Sequence, residues 1–400
     1  MVVGAGLAGL ACARGLAAAG IQTVLVDQKR ALGERIHTTG IFVRRTLEDF
    51  ALPDACLGPP VRDVVLYAPS RRRRLALASR HDEFRVGDMA ALYQALREEA
   101  AAAGVQVRTG HRLLSARAAR GAVEIELEES GRRRRFSAGF LVGADGARSP
   151  VAAQLGLDRN RAFLIGAEDV LPSALGGGEP PIMHCFIDPE LAPGYLAWLV
   201  DDGHQAHVGV AGEPSRFRPL AALAAFRASL AGLVPLSSGV RIERRGGRIP
   251  VGGLLRRIAS ERALLVGDAA GAVSPLTAGG LDPCLRQSRL AVDVIRAWLG
   301  DGRREALEAY QAPSLRRRFR GRMLMRRALD RLQSKSAAEL ALAALRAPPL
   351  APLASRVFFG RGSFPDLDLE ALLAAPTSAR DRLSAAMARL RLGRDAELAP

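Results

Sequence analysis

The residues with the clearest capacity for chemistry form the segment Gly-Ala-Gly-Leu-Ala-Gly at positions 4–9, which follows two valines and opens an Ala/Leu-rich stretch. In a strand–turn–helix unit each glycine of this pattern has its own role. Gly4 permits a tight turn, Gly6 lets the backbone approach a pyrophosphate, and Gly9 lets the helix pack closely on the strand. The segment therefore predicts a dinucleotide-binding loop.

The residues around this loop are suited to the two ends of such a ligand. A helix that begins at Leu7 and Ala8 would direct N–H groups and the positive end of its dipole at the phosphates. Asp27 ends the apolar run Leu25-Val26 about 20 residues beyond the glycines, the spacing typical of an acidic residue that binds an adenosine ribose. We predict that Asp27, with the adjoining Gln28, binds the adenosine half of the cofactor.

Two later segments favour FAD over NAD. Residues 141–149 place Asp145 and Gly146 after an apolar run, and residues 265–271 place Gly267 and Asp268 after another. An aspartate at the carboxyl end of a parallel strand lies in the ligand crevice, where Asp268 could bind the ribityl hydroxyls that NAD lacks. Each segment alone also fits a turn whose aspartate caps a helix. The order of all three segments favours an FAD site.

These segments resemble those of the FAD-dependent oxidoreductases with the p-hydroxybenzoate hydroxylase fold, over roughly residues 1–300. Within that superfamily the chain is most similar to the geranylgeranyl reductase-like group, because Gly271 follows Gly-Asp-Ala-Ala, residues 274–280 read Ser-Pro-Leu-Thr-Ala-Gly-Gly, and residues 193–198 read Pro-Gly-Tyr-Leu-Ala-Trp. Aromatic hydroxylases usually carry His at the position of Gly271. The reductases of archaeal lipid synthesis have Cys-Gly-Gly where residues 37–40 read His-Thr-Thr-Gly, so a cysteine-dependent step is not available there.

The resemblance implies that Pro275, Gly279, Gly280 and Leu281 lie beside the isoalloxazine ring. A helix that begins at Gly280 would direct its positive end at the N1–C2 carbonyl edge and stabilise the negative charge of the reduced flavin. The run therefore supports the flavin assignment on physical grounds as well.

Three further side chains are candidates for the chemistry. Arg85 fits either a partner of the pyrophosphate or flavin, or an exposed arginine at the start of a helix. His37 could protonate a substrate carbanion after hydride transfer, or lie in a surface turn. Tyr195 and Trp198 are expected on opposite faces of a strand, one toward the substrate and the other in the core, with the core favoured for Trp198. His184, His204 and His207 are expected to be structural, and no metal site is predicted.

The patterning predicts an α/β fold, α+β overall: a Rossmann-type FAD-binding domain with three-layer ββα architecture, an inserted and mostly antiparallel β substrate domain, and a helical C-terminal region. A strand–helix–strand unit is expected over 2–26, a helix over 84–104 and a hairpin around Ser130-Gly131. We predict the FAD-binding domain at 1–65, 81–160 and 250–300, the substrate domain at 66–80 and 161–249, and the helical region at 301–400.

Composition bounds the partners. The net charge of +16 comes almost entirely from arginine, since lysine occurs only at Lys29 and Lys335. A GC-rich coding sequence explains this bias, and attraction to an anionic ligand or membrane is the alternative; no motif of nucleic-acid binding accompanies the charge. The basic and apolar residues 316–327 could lie on a membrane or form a solvated face. Four separate cysteines and the lack of a secretory signal indicate a cytoplasmic protein, which could lie peripherally at the inner face of the membrane.

We therefore predict an FAD-dependent reductase or dehydrogenase that transfers hydride through flavin N5 to or from a C–C bond of an apolar substrate, for which an isoprenoid or another lipid is the candidate. The alternatives are a flavin monooxygenase and a flavin-binding protein without turnover. A halogenase is disfavoured because its Trp-x-Trp-x-Ile-Pro segment is absent. No second Gly-x-Gly-x-x-Gly follows a strand, since Gly176–Gly178 precede Pro180 in a polar turn. Reduction would come from transient NAD(P)H or an electron-donor protein.

Overall fold

The computed structural model describes residues 1–175, 179–236, 240–317, 319–348, 350–359 and 368–374. The predicted glycine turn at 176–178 and Arg318 of the basic segment lie outside these ranges. The strands are β1 Val2–Val3, β2 Val24–Asp27, β3 Ile41–Val43, β4 Leu57–Val61, β5 Asp63–Tyr67, β6 Arg74–Ala78, β7 Phe84–Gly87, β8 Gln106–Thr109, β9 His111–Ala119, β10 Ala122–Glu129, β11 Arg132–Ala138, β12 Leu141–Gly143, β13 Phe163–Pro172, β14 Ile182–Phe186, β15 Ala197–Asp201, β16 Gln205–Gly212, β17 Glu243–Pro250, β18 Ala259–Ser260 and β19 Ala263–Leu265. The helices are α1 Leu7–Ala18, α2 Arg44–Asp49, α3 Met89–Ala102, α4 Pro150–Gln154, α5 Pro219–Ser229, α6 Leu281–Asp301, α7 Arg304–Tyr310, α8 Pro313–Arg317, α9 Arg320–Asp330, α10 Lys335–Leu345, α11 Ala351–Phe359 and α12 Leu369–Leu373, with 3₁₀ turns at Asp54–Cys56 and Gly267–Ala270.

The sheet that organises the first half of the fold has the order β18-β19-β12-β1-β2-β8 and is parallel except at β18. Short apolar runs form its central strands because both faces are covered, and such strands contain few polar residues. Val2 pairs with Leu25 on one side and with Val142 on the other. The strand–helix–strand unit predicted at 2–26 is confirmed, and the carboxyl ends of β1, β12 and β19 meet at one edge.

The helix predicted over 84–104 begins only at Met89. Residues 84–87 instead form β7, which pairs with β3 and β4 because Phe84 and Val86 face a packed side of that small sheet. Asp88 then caps α3, with its Oδ1 accepting hydrogen bonds from Ala90 N at 3.0 Å and Ala91 N at 3.1 Å. Gly104, with φ of +93°, follows the last turn as predicted.

The predicted hairpin is confirmed as β10–β11, with Ser130 and Gly131 both at positive φ in its turn. A third strand, β9, was not predicted and pairs with β10 through an irregularity at Glu126/Leu127. Three of the four arginines of β11 lie opposite glutamates of β10, and the fourth, Arg134, lies opposite Leu127. Arg133 and Arg135 form ion pairs with Glu126, and Arg134 forms one with Glu129. The hairpin thus pairs three arginines with its own carboxylates.

The largest sheet has the order β17-β13-β16-β15-β14-β5-β6. Two strands from early in the chain, β5 and β6, join strands from residues 163–250, with β5 parallel to β14 and the other pairs antiparallel. The segment that crosses to this sheet therefore begins at Asp63, slightly before the predicted residue 66. Helix α5 covers one face through Leu223 and Phe226, which leaves the other face toward the first sheet and the C-terminal helices.

The described residues after Gly302 are mainly helical, as predicted, but the basic segment 316–327 is not one continuous helix. It divides between α8 and α9, and Arg326 within it is buried and pairs with Asp330 at 3.1 Å. Within the described residues, no helix combines the length and apolarity needed to cross a bilayer.

Candidate functional site

A cavity of about 900 Å³ lies between the edge of the parallel sheet, the open face of the seven-stranded sheet and the C-terminal helices. This volume is at the upper end of the range of about 300–1,000 Å³ that is usual for small-molecule sites. The glycine loop and the start of α6 form one end, and residues of α9, α10 and α11 form the other. The cavity therefore connects most of the predicted cofactor residues to an apolar chamber.

The glycine loop has the geometry of a phosphate cradle. A Cβ added to Gly6 would meet nothing within 4 Å, so open space lies in front of this residue at the N-terminus of α1. Leu7 and Ala8 line the same space. Gly4 and Gly9 are needed for packing instead, because a Cβ would lie 2.3 Å from Ala144 O at Gly4 and 1.8 Å from Gly4 O at Gly9.

Asp27 lines the cavity and also holds the loop. Its Oδ2 accepts a hydrogen bond from Ala5 N at 2.6 Å, and its Oδ1 accepts one from Lys29 N at 2.7 Å. The structure thus places Asp27 where an adenosine ribose could reach it. Gln28 is exposed and is not among the lining residues, so its proposed role has no support in the geometry.

Asp268 is the half-buried acid of the cofactor end. It lies in the 3₁₀ turn Gly267–Ala270 that follows β19, and it lines the cavity beside Gly267, Gly279 and Gly280. Burial raises the pKa of its carboxyl from the usual 3.8 to about 6. A Cβ on Gly280 would lie only 3.3 Å from Asp268 Oδ1, so the acid and the start of α6 are in contact.

Helix α6 begins at Leu281 with Gly280 as its N-cap and runs for 21 residues. Its N-terminus therefore adds positive dipole to the cavity wall. Gly271 is required by the chain path before this helix, because it has φ of +73° and its Cβ would lie 2.5 Å from Gly253 O. Pro275 belongs to the same loop but is not among the lining residues.

Asp145 has a different position from the one expected. It does not line the cavity: its Oδ2 accepts a hydrogen bond from Val151 N at 2.7 Å in the first turn of α4. Burial raises the pKa of this carboxyl, and its Oδ1 has no hydrogen-bond partner among the described residues. Asp145 therefore shapes the loop, while its neighbours Ala144 and Gly146 line the cavity.

The proposal for Arg85 is corrected by the structure. The residue lies in β7 rather than at a helix start, and its guanidinium points away from the cavity. It donates to Gly58 O at 2.7 Å, to Leu57 O at 2.9 Å and to Asp54 Oδ1. These three acceptors of the β4 region fix the side chain, so Arg85 is not placed to bind a pyrophosphate.

The two candidate catalytic residues both line the cavity. His37 is exposed at the rim, with its Nδ1 2.8 Å from Gly246 O. Tyr195 is buried, and its hydroxyl donates a hydrogen bond to Thr277 O at 2.6 Å. This bond connects the segment before β15 of the seven-stranded sheet to the loop before α6. Burial raises the pKa of this phenol, so it stays protonated. Trp198 was expected in the core but also lines the cavity. Tyr195 lies before β15, so the two residues do not occupy opposite faces of one strand as the sequence had indicated.

Sequence reasoning missed a buried ionic network beside Trp198. Glu168 Oε2 accepts hydrogen bonds from Trp198 Nε1 at 3.1 Å and from Thr39 Oγ1. Glu168 Oε1 lies 3.3 Å from His207 Nδ1, and His207 Nε2 lies 3.5 Å from Asp202 Oδ2. Burial alone would lower the pKa of His207, but its hydrogen bonds to Asp202 and Glu168 raise it to about 9.

The far end of the cavity is apolar. Met183, Cys185 and Leu66 line it from the sheet. The residues that line it from α9, α10, α11 and the segments between these helices are Met325, Leu329, Leu332, Ala338, Ala341, Leu342, Leu345, Leu350, Leu353, Ala354, Val357, Phe358 and Phe359. Such a wall suits a long hydrocarbon chain, because it offers apolar surface and little hydrogen bonding. Apart from the helical spacing of Leu and Ala, no sequence pattern indicates this role.

The cofactor end fits FAD. The open space at Gly6 leaves room for a pyrophosphate at a helix N-terminus, and the cavity-facing carboxylate of Asp268 is largely removed from water, so it gains from hydroxyl donors such as those of a ribityl chain. Among the described ranges there is no group of His, Cys, Asp and Glu suited to a metal ion.

Comparison with known proteins agrees with this geometry. The family model "FAD binding domain" matches residues 1–195. A digeranylgeranylglycerophospholipid reductase of Methanothrix thermoacetophila is 29% identical over 322 residues, which are 78% of this chain and 81% of that protein. A geranylgeranyl diphosphate reductase of Rhodobacter capsulatus is 25% identical over 313 residues, 78% of each chain.

Among solved structures, a geranylgeranyl bacteriochlorophyll reductase-like protein of Thermoplasma acidophilum shares the fold with a TM-score of 0.76 at 18% identity, over 93% of this chain and 94% of that one. A p-nitrophenol 4-monooxygenase of Pseudomonas putida shares it with a TM-score of 0.63 at 17% identity, over the same shares. The α/β fold and FAD as the cofactor are confirmed. The chain is an FAD-dependent oxidoreductase similar to the geranylgeranyl reductase-like group.

Proposed function

We propose that this oxidoreductase reduces carbon–carbon double bonds of an apolar isoprenoid lipid. The observation that carries the proposal is the single cavity that joins the FAD end to the apolar chamber of α9, α10 and α11. The reductase names of the relatives that match about four-fifths of this chain support the same reaction class.

Reduction of a double bond requires one hydride and one proton. Reduced FAD supplies the hydride at N5 of its isoalloxazine ring when it is bound. The N-terminus of α6 and the N–H groups near Gly279 and Gly280 stabilise negative charge at the cofactor end. Tyr195 fixes the loop before α6 through Thr277. His37 at the rim stays our candidate for the proton donor.

Its reductant is expected to arrive from solution. Since the chain has no second nucleotide-binding glycine motif, we propose either a transient visit by NAD(P)H or an electron-donor protein. Nucleic acid is not proposed as a partner. Anaerobic mixing of the oxidised holoenzyme with NADPH, followed at the flavin absorbance, distinguishes the two donors: bleaching supports NAD(P)H, and no bleaching supports a protein donor.

We also propose that the protein contacts a membrane peripherally, at the cytoplasmic face, through α9. The exposed apolar side chains Leu324 (62%), Leu340 (71%) and Leu353 come from the helices that line the chamber, and Leu350 comes from the turn between α10 and α11. Arg320 and Arg327 lie exposed beside Leu324. An apolar surface with flanking cations suits an anionic bilayer. Binding of the L324D variant to phosphatidylglycerol vesicles should fall, whereas L220D, an exposed leucine on α5, should bind as wild type. Equal binding of L324D and wild type would refute the contact.

The reaction is tested with reduced holoenzyme under anaerobic conditions. Addition of a geranylgeranyl lipid should reoxidise the flavin and increase the mass of the lipid by two hydrogens for each reduced bond. Reduced enzyme mixed with oxygen should return directly to the oxidised spectrum. An oxygenated product or a transient spectral species before reoxidation would instead support the monooxygenase alternative, whose fold is shared. No turnover with any donor would support a flavin-binding protein.

A further inference from the structure

One row of residues crosses the wall of the cavity. The register of the seven-stranded sheet places six residues from six strands side by side: Leu66, Cys185, Trp198, Gly209, Glu168 and Arg245. All of them except Gly209 line the cavity. The row is apolar at one end, aromatic in the middle and charged at the other end.

Trp198 occupies the place that Gly209 leaves open. A Cβ on Gly209 would lie 2.1 Å from Cζ2 of the indole and 2.2 Å from its Cε2, so the ring lies flat across the neighbouring strand. Beyond the glycine, Glu168 receives the indole N–H at 3.1 Å. The indole is therefore fixed in two ways: it packs into the space left by the absence of a side chain at Gly209, and its N–H is bound by the Glu168 carboxylate.

Glu168 is itself held from several elements. His207 of β16 and Arg245 of β17 face its Oε1, at 3.3 and 3.6 Å, while Thr39 shares Oε2 with Trp198. Asp202 faces the other nitrogen of His207. His207 is 2% exposed and Glu168 is 4% exposed. A carboxylate with this many donors in a low-dielectric site keeps its charge and its orientation.

We propose that Glu168 is a positioning residue that fixes the Trp198 indole across Gly209, and that the fixed ring separates the apolar part of the cavity from its charged part. This inference rests on the proposed function, because an unsaturated chain would then lie on the side of Leu66 and Cys185. The polar end of the same substrate would lie toward Arg245. The Trp198 ring thereby limits how far the substrate's hydrocarbon chain can shift along the cofactor end of the cavity.

The first test follows the ring without any substrate. The protein has two tryptophans, Trp198 and Trp298, so W298F leaves Trp198 as the single reporter. In this background we expect E168Q and G209A to increase acrylamide quenching of the holoenzyme about twofold or more. G209A leaves the charges of the network in place, which keeps the test valid if E168Q folds poorly.

The matched control is G252A, since a Cβ at Gly252 would make only an ordinary contact of 3.6 Å with Ala162. Flavin content and thermal unfolding verify that each variant is folded. Unchanged quenching in both folded variants, E168Q and G209A, would overturn the proposal. This result would leave the reductase reaction unaffected, because no substrate is present.

The second test is a double-mutant cycle with a geranylgeranyl lipid. W198F keeps an aromatic ring and removes the donor to Glu168, so we expect it and E168Q each to raise KM about tenfold with a smaller effect on kcat. The double variant should be no worse than W198F alone, because Glu168 acts through the indole. Multiplied effects of the two substitutions would show that Glu168 acts elsewhere and would contradict the inference. Absence of turnover in the wild type would refute the proposed function while the quenching result stands.

Discussion

Two glycines of the loop at residues 4–9 should respond to alanine in opposite ways. At Gly6 the added methyl group meets nothing within 4 Å, and its φ of −76° is ordinary for alanine. G6A should therefore fold with stability close to wild type, since alanine at a compatible position changes it by only about 0.4–1 kcal/mol. The methyl group would occupy the place of the pyrophosphate. Loss of two charged hydrogen bonds, about 1.5–3 kcal/mol each, predicts FAD binding weakened at least about 100-fold.

At Gly9 the same methyl group would lie 1.8 Å from Gly4 O. Helix α1 must then move away from β1, and overpacking of this kind destabilises proteins by about 1–3 kcal/mol or more. Urea unfolding of the apoprotein and flavin fluorescence titration measure the two effects separately. We expect G6A to lose FAD affinity with an unchanged midpoint, and G9A to lose stability. FAD binding by G6A at wild-type strength would refute the assignment of this loop to the pyrophosphate.

Three other expectations follow from the site. Burial raises the pKa of Asp268 to about 6, and the ionised carboxylate accepts hydrogen bonds from hydroxyl groups, so FAD affinity should fall as pH drops below 6. D268N should remove this pH dependence. The same pH dependence of FAD affinity in D268N and wild type would contradict the prediction. A341F should narrow the apolar chamber and raise KM for a geranylgeranyl substrate more than for a geranyl one, whereas L340F, on the exposed side of α10, should not. Equal effects of A341F and L340F on KM would show that the substrate's hydrocarbon chain binds elsewhere. The pKa of His207 is raised from 6.5 to about 9 against the effect of burial, so its stabilisation, about 3 kcal/mol for the whole network, is complete below pH 6.5 and is lost as pH rises through 9. The unfolding free energy of H207Q should not show this decline with rising pH. The same pH dependence of the unfolding free energy in H207Q and wild type would refute the stabilising role of His207.

The cofactor end could be predicted from the sequence because its signals are local. Gly6 and Asp268 each follow an apolar strand within one short segment, and parallel strands bring their carboxyl ends together without further information. Arg85 was misplaced for a local reason too. The four residues before Asp88 form a strand, and the prediction extended the periodicity of α3 through them although Gly87 and the N-cap residue Asp88 mark the boundary between the two elements.

The network of Glu168, His207 and Asp202 could not be predicted in the same way. Glu168 and His207 are brought together by the pairing of β13 with β16, in which Glu168 lies opposite Gly209. A shift of one residue in this register would turn Glu168 to the other face of the sheet. Trp198 was assigned to the core for a similar reason, since only the pairing of its strand shows that Gly209 opens a place for the ring on the cavity side.

The parallel sheet also determines when the protein can acquire its cofactor. Residues 4–9 leave the ribosome well before the elements that complete their site, because β1 lies between β2 and β12 and the wall opposite the loop comes from Asp268 and the start of α6. At about 5–20 residues per second, translation reaches Leu281 roughly 15–55 s after Gly9. During this interval the nascent glycine loop lacks the side of the cofactor site that Asp268 and the start of α6 form. Insertion of FAD is thus expected as a late event in biosynthesis, and chains that stop before α6 should emerge without flavin.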